Sequence, residues 1–167
     1  MGSRYDVNVF RDTTLSQFLL AFDGEDVVGA PVPAPWTGPS GVTIAEVDTA
    51  AGRHVVVVAG PMKSPYGVDT RLAKRLGTEA LFTTVWDSVS VYSLQVVGDG
   101  TDRYVAADPE DGGQRERGMR LPEEPSWPDL DEAYVQTVFK GRCGFDPGAT
   151  QDYRATWFSF GPPTAPA

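Results

Sequence analysis

Cysteine and histidine are almost absent from this chain, which has one of each, Cys143 and His54, in 167 residues. One cysteine excludes any disulfide within the chain. One cysteine and one histidine cannot build a zinc site of the usual kind, which takes roughly four such ligands. No apolar run approaches the roughly 20 residues needed to cross a bilayer as a helix. The longest aliphatic run, Val55-Val56-Val57-Val58-Ala59, is the size of a strand. No basic stretch followed by an apolar core opens the chain, so a secretory signal is not expected. Together with the lone thiol this points to the reducing cytoplasm.

Basic residues are also in deficit. Net charge is −9, with 23 Asp and Glu against 14 Lys and Arg. That balance repels free nucleic acid, and no basic cluster breaks it. It suits solubility, or a basic protein partner. Lysine is scarce beside arginine, and Gly, Ala, Val and Pro are plentiful, a usage that suggests a GC-rich bacterial genome.

Phosphate-binding and nucleophile motifs are missing as well. Gly98-Asp99-Gly100 reads as a hairpin turn between strands, and Gly38-Pro39-Ser40-Gly41 leads into a strand, so neither opens a helix onto an anion. No G-x-S-x-G elbow occurs. Cys143 follows a helix rather than preceding one and reads as a buried, idle thiol. His54 sits at the start of a strand and reads as a residue of its less buried face, with general base as the alternative. No catalytic set, cofactor or metal is expected.

What is present is a run of clear structural signals, densest over Asp69–Ala107. Leu72, Ala73 and Leu76 give a short helix capped by Asp69 or Thr70 and stopped by Gly77. Strands follow over Leu81–Trp86, Val89–Val97 and Arg103–Ala107, the last two joined at Asp99-Gly100, a strong hairpin signal. Before this stretch, Arg4–Phe10 alternates as a strand. Leu15, Phe18, Leu19 and Phe22 then recur at helical spacing up to Gly24. Val42–Asp48 and Arg53–Gly60 read as an antiparallel pair, the second buried on both faces. After it, Asp129 caps a helix to Lys140 with Gly141 as its stop, and Tyr153–Phe160 reads as a last strand. Two stretches read as loops. Pro31, Pro33, Pro35 and Pro39 break Glu25–Gly41, and three prolines with charges of alternating sign mark Asp108–Trp127.

Adjacent strands joined by tight turns mean an α+β fold: a mainly antiparallel sheet of about six or seven strands, with two or three short helices packed on one face. Residues 1–160 form one domain in this reading, and 161–167 a Pro-rich disordered tail. The function expected is that of a non-catalytic protein-binding module from a bacterium, of the immunity, inhibitor or regulator kind, acting through an acidic surface. Its candidate contact residues are Trp36 and Trp127 in the loops, with the carboxylates Asp108, Glu110, Asp111, Glu123 and Glu124. Buried, the two tryptophans would staple the loops to the sheet; exposed, they would anchor a partner. The expected partner is another protein, basic in character, not nucleic acid and not a membrane. Two alternatives stand beside this: a structural or assembly component such as a bacterial-virus particle protein, and a small-molecule binder or enzyme using carboxylates and His54.

Overall fold

The computed structural model describes residues 2–21, 28–35, 41–59 and 70–161. Within them, nine strands form a single sheet: β1 (Arg4–Phe10), β2 (Val28–Val32), β3 (Val42–Thr49), β4 (Gly52–Ala59), β5 (Ala80–Trp86), β6 (Val91–Gly98), β7 (Thr101–Asp108), β8 (Gly113–Arg117) and β9 (Trp157–Phe160). Their order across the sheet is β2-β9-β3-β4-β1-β5-β6-β7-β8. Every pairing is antiparallel. Three helices accompany them: α1 (Leu15–Ala21), α2 (Thr70–Leu76) and α3 (Glu132–Cys143). The α+β class stands, but the sheet has nine strands rather than six or seven.

The two extra strands are its edges, and both fall in stretches that read as loops. Side chains of β2 and β8 are mostly exposed, so neither needs the apolar alternation that marks a half-buried strand. An edge strand tolerates Pro31, whose missing N–H leaves no partner short, and the pairing of β2 shifts register between Val28 and Pro31. In β8 the run Gln114-Arg115-Glu116-Arg117 carries the charges that commonly protect an edge.

The helices lie on both faces, a second correction. On β1, Val7 and Val9 point one way and Phe10 the other. Val56 and Val58 of β4 join Val7 and Val9 under α3, where Tyr134, Val135, Val138 and Phe139 cover them. Val55 and Val57 join Phe10 and Ile44 under Phe18 of α1 and Leu72 and Ala73 of α2. A strand made of four consecutive valines is apolar on both sides, and each side demands a cover.

Several boundaries move. Asp131, not Asp129, caps α3 by accepting the Tyr134 N–H at 2.7 Å. The helix runs through Gly141 and ends at Gly144, whose φ of 66° suits a left-handed cap. The last strand starts at Trp157, and Tyr153 instead stacks on Phe145 at 4.5 Å between ring centres. Asp99 and Gly100 both have positive φ, 50° and 79°, as a two-residue I′ hairpin turn requires. Phe22, Gly24, Trp36, Asp69 and the tail beyond residue 161 lie outside the described residues.

α1 has seven residues and only one of them, Phe18, is buried. Phe18 meets Phe10 edge-on at 5.0 Å. A helix this short is held by packing rather than by propensity. Phe18→Ala is therefore expected to cost about 3–5 kcal/mol in urea unfolding. Leu20→Ala, at a side chain 76% exposed, is expected to stay within about 0.5 kcal/mol of the parent.

Candidate partner-binding surface

Apart from Trp36, which lies outside the described residues, the expected contact residues cluster around β8 and the segment 118–131 that follows it. That segment has no regular structure, and it crosses from the end of β8 to the start of α3. What orders it is a charge. Arg103 sits on the inward face of β7 with 1% of its side chain exposed. A buried guanidinium must be paired and fully hydrogen-bonded, or the fold pays heavily for its desolvation.

Its donors are all engaged. Nε donates to both oxygens of Glu124, at 3.1 and 3.2 Å. Nη2 donates to Glu124 Oε1 and to Glu116 Oε2, both at 2.7 Å. Nη1 donates to the carbonyls of Gly118 and Arg117, at 3.0 and 3.3 Å. The Glu124 carboxylate, itself 0% exposed, also accepts from the Tyr134 hydroxyl on α3 and from the Leu121 N–H. Burial would raise the Glu124 pKa; Arg103, Tyr134 and the Leu121 N–H outweigh it and hold the carboxyl below its ordinary value. The same burial, with Glu124 beside it, pushes the Tyr134 phenol up to about 12.

Two further anchors tie the segment down. Gln114 of β8 donates to the Pro128 carbonyl at 2.8 Å and accepts the Leu130 N–H at 2.8 Å. Glu123 takes Nη1 of Arg142 at 2.8 Å, and the same Arg142 grips both oxygens of Glu79 at 2.6 and 2.7 Å. Arg11 adds a second cation to Glu79 at 2.9 Å. Gly118 begins the arch with φ 84°, and a Cβ there would lie 2.0 Å from the Asp102 carbonyl oxygen. Only glycine allows the chain to turn away so close to β7.

Held this way, the arch turns two apolar side chains outward. Met119 is 87% exposed and Trp127 is 42% exposed. Met119 leaves the Arg117 end of β8, and Trp127 returns near Gln114, at the other end. At that second end stands the 3-10 turn Pro109–Asp111, capped by Asp108, whose carboxylate accepts the Glu110 N–H at 2.9 Å. Glu110 and Asp111 are exposed. Asp111 pairs with Arg115 at 3.3 Å, an ion pair open to water and worth little.

The seven expected contact residues thus fall into three groups. Trp127, Asp108, Glu110 and Asp111 gather at one end of β8. Glu123 and Glu124 point inward, and the Glu124 carboxylate has no surface to offer a partner, because Arg103 claims it. Trp36 lies outside the described residues. Met119 and Arg103 were not anticipated. An arginine in step with Val105 on an alternating strand is the signal that could have marked Arg103.

His54 is fully buried rather than on a less buried face. Its Nδ1 accepts the Asp12 N–H at 3.2 Å, which places the proton on Nε2, donating to the Cys143 carbonyl at 2.9 Å. Thr49 Oγ1 completes the knot, donating to the same carbonyl at 2.7 Å. The ring thus joins the β3–β4 hairpin, the turn after β1 and the end of α3, and offers no nitrogen to a substrate. Cys143 is buried too, and burial pushes its thiol up to about 12. Among the described residues no three His, Cys, Asp or Glu side chains gather as metal ligands, and no helix is long and apolar enough to cross a membrane.

Comparison with known proteins found no matching family model, no matching curated protein and no matching solved structure.

Two outcomes test this geometry. Glu124→Ala strands a buried guanidinium and is expected to cost about 3–5 kcal/mol in urea unfolding. Glu116→Ala removes a carboxylate 58% exposed and is expected to cost under about 1 kcal/mol. The second outcome concerns pH. Burial holds the His54 ring below its ordinary pKa of 6.5. The unfolded chain therefore takes up this proton more readily than the folded one. Stability is complete above that value and falls as pH drops below it, by at most about 1.4 kcal/mol per pH unit. Urea unfolding between about pH 7 and about pH 5 should show that slope, and His54→Gln should flatten it.

Proposed function

We propose that this chain is a non-catalytic protein-binding module, of the bacterial immunity, inhibitor or regulator kind, working in the cytoplasm. It docks its partner along β8 and the 118–131 arch. The observation that carries this reading is the exposure of Met119 and Trp127 on a segment whose inward carboxylates, Glu123 and Glu124, are paired with Arg142 and Arg103. Large apolar side chains left in water on a rigid support are the ordinary anchors of an interface, tryptophan above all. A preorganised arch also avoids the ordering cost that a mobile loop would pay on binding.

The carboxylates set the partner's charge. Glu110, Asp111 and Asp129 are exposed near Trp127, and the whole chain carries −9. A partner with a basic rim around an apolar pocket is the complement. The acidic net charge speeds encounter, and the two apolar tips supply residence.

The test is affinity capture from the native host with three baits: the parent chain, a Met119→Ala/Trp127→Ala double variant, and Leu20→Ala as a control at an exposed side chain elsewhere. A stoichiometric protein held by the parent and by Leu20→Ala, and weakened at least roughly tenfold by the double variant, is the expected result. A partner held equally by all three baits, or no partner at all, would overturn the proposal.

A further inference from the structure

A cleft of about 460 Å³ lies between α2 and the β6–β7 turn. Ala73 and Lys74 come from the helix, Thr78 from the turn after it, and Val97 and Asp99 from the hairpin. Glycines at 77 and 98 leave backbone rather than side chains in its walls. Gly98 is confined: a Cβ there would lie 2.3 Å from the Thr78 carbonyl oxygen, so the hairpin end is pressed against the turn and the base of the cleft is fixed. A Cβ on Gly77 would meet nothing within 4 Å, so this wall opens to solvent. The size falls within the range of small-molecule sites.

The charges decide what fits. Lys74 and Asp99 line the same cleft with opposite sign, and both are exposed. Among the described residues neither forms an ion pair with the other or with any other group. Ala73 and Val97 add apolar surface to the lining, beside Thr70 and Thr78. A ligand with a single charge would satisfy one of the two and ignore the other. A molecule with a carboxylate at one end, an ammonium at the other and an aliphatic stretch between satisfies both and covers that apolar surface.

We infer that this cleft binds a small zwitterion whose two charges are separated by an aliphatic chain, its carboxylate on Lys74 and its ammonium on Asp99. This site is separate from the partner-binding reading and does not depend on it. Both ion pairs are open to water, so binding is modest and weakens with salt.

The experiment is a titration of the full ¹⁵N-labelled chain with three probes: 6-aminohexanoate, hexanoate and hexylamine. Amide shifts at Gly77, Thr78, Gly98 and Asp99 are expected with 6-aminohexanoate at roughly 10 mM or below. Hexanoate and hexylamine should each bind at least roughly threefold more weakly. Lys74→Met keeps the aliphatic stem and should reduce 6-aminohexanoate to the affinity of hexylamine for the parent. Asp99→Asn keeps a residue that tolerates the φ of 50°, and should reduce it to the affinity of hexanoate. Absence of shifts at those four amides, equal binding of a singly charged probe, or indifference to both substitutions would overturn the inference.

Discussion

β1 is the middle strand of nine, and its burial on both faces is the constraint from which the rest of the fold follows. Asn8 pairs with Val57 on one side and Phe82 on the other, so the first strand of the chain becomes the spine between two segments far along it. Backbone groups at that depth have no access to water and must be paired on both edges. Side chains above and below must be covered, and this forces helices onto both faces. α3 closes one, while α1 and α2 close the other. Polarity then rises outward to β2 and β8. Such pairing across long sequence separations is slow to form compared with the local β6–β7 hairpin.

A second constraint acts at the β8 end, where it is electrostatic rather than apolar. Arg103 occupies a core position, and the carboxylate that β8 offers it, Glu116, is 58% exposed and cannot neutralise a buried charge by itself. Glu124 arrives from a segment that has no helix or strand to shape it. The carboxylate's lone pairs are divided among Arg103, Tyr134 and the Leu121 N–H, so one residue joins the sheet, α3 and its own loop. The positions of Met119 and Trp127 are consequences of that bond. An irregular segment is here as determined as a strand, because leaving the charge unpaired would cost more than ordering the chain.

Much of the interior is legible in the sequence. The alternation of Tyr5, Val7 and Val9, the four valines of β4, the Asp99-Gly100 turn and the Gly77 stop are local signals, and local physics decides them. The edges were not legible, because an exposed edge strand is defined by what it pairs with and not by its own pattern. β8 reads as a charged loop for the same reason that it works as an edge. The cover on both faces was implied by β4 and β1 together, but only the strand order shows that they are neighbours. Glu124 was the plainest misreading. In sequence it is one more acid in an acid-rich loop, and its partner Arg103 lies 21 residues back.

That misreading changes what net charge can be asked to explain. A chain at −9 invites the picture of an acidic docking face, yet Glu79, Glu123 and Glu124 turn inward to Arg11, Arg142 and Arg103. The carboxylates that remain outside near Trp127 set a field, which acts over about 8–10 Å at ordinary salt and governs approach. Fixing a partner in one orientation is a shorter-range task, and it falls to groups that lose water on contact. On this surface those are Met119 and Trp127. In the docking mode proposed above, the arginines inside would therefore matter to recognition without touching a partner: they consume the carboxylates that would otherwise frame the arch in charge, and they hold the two apolar tips where water is the only thing left to displace.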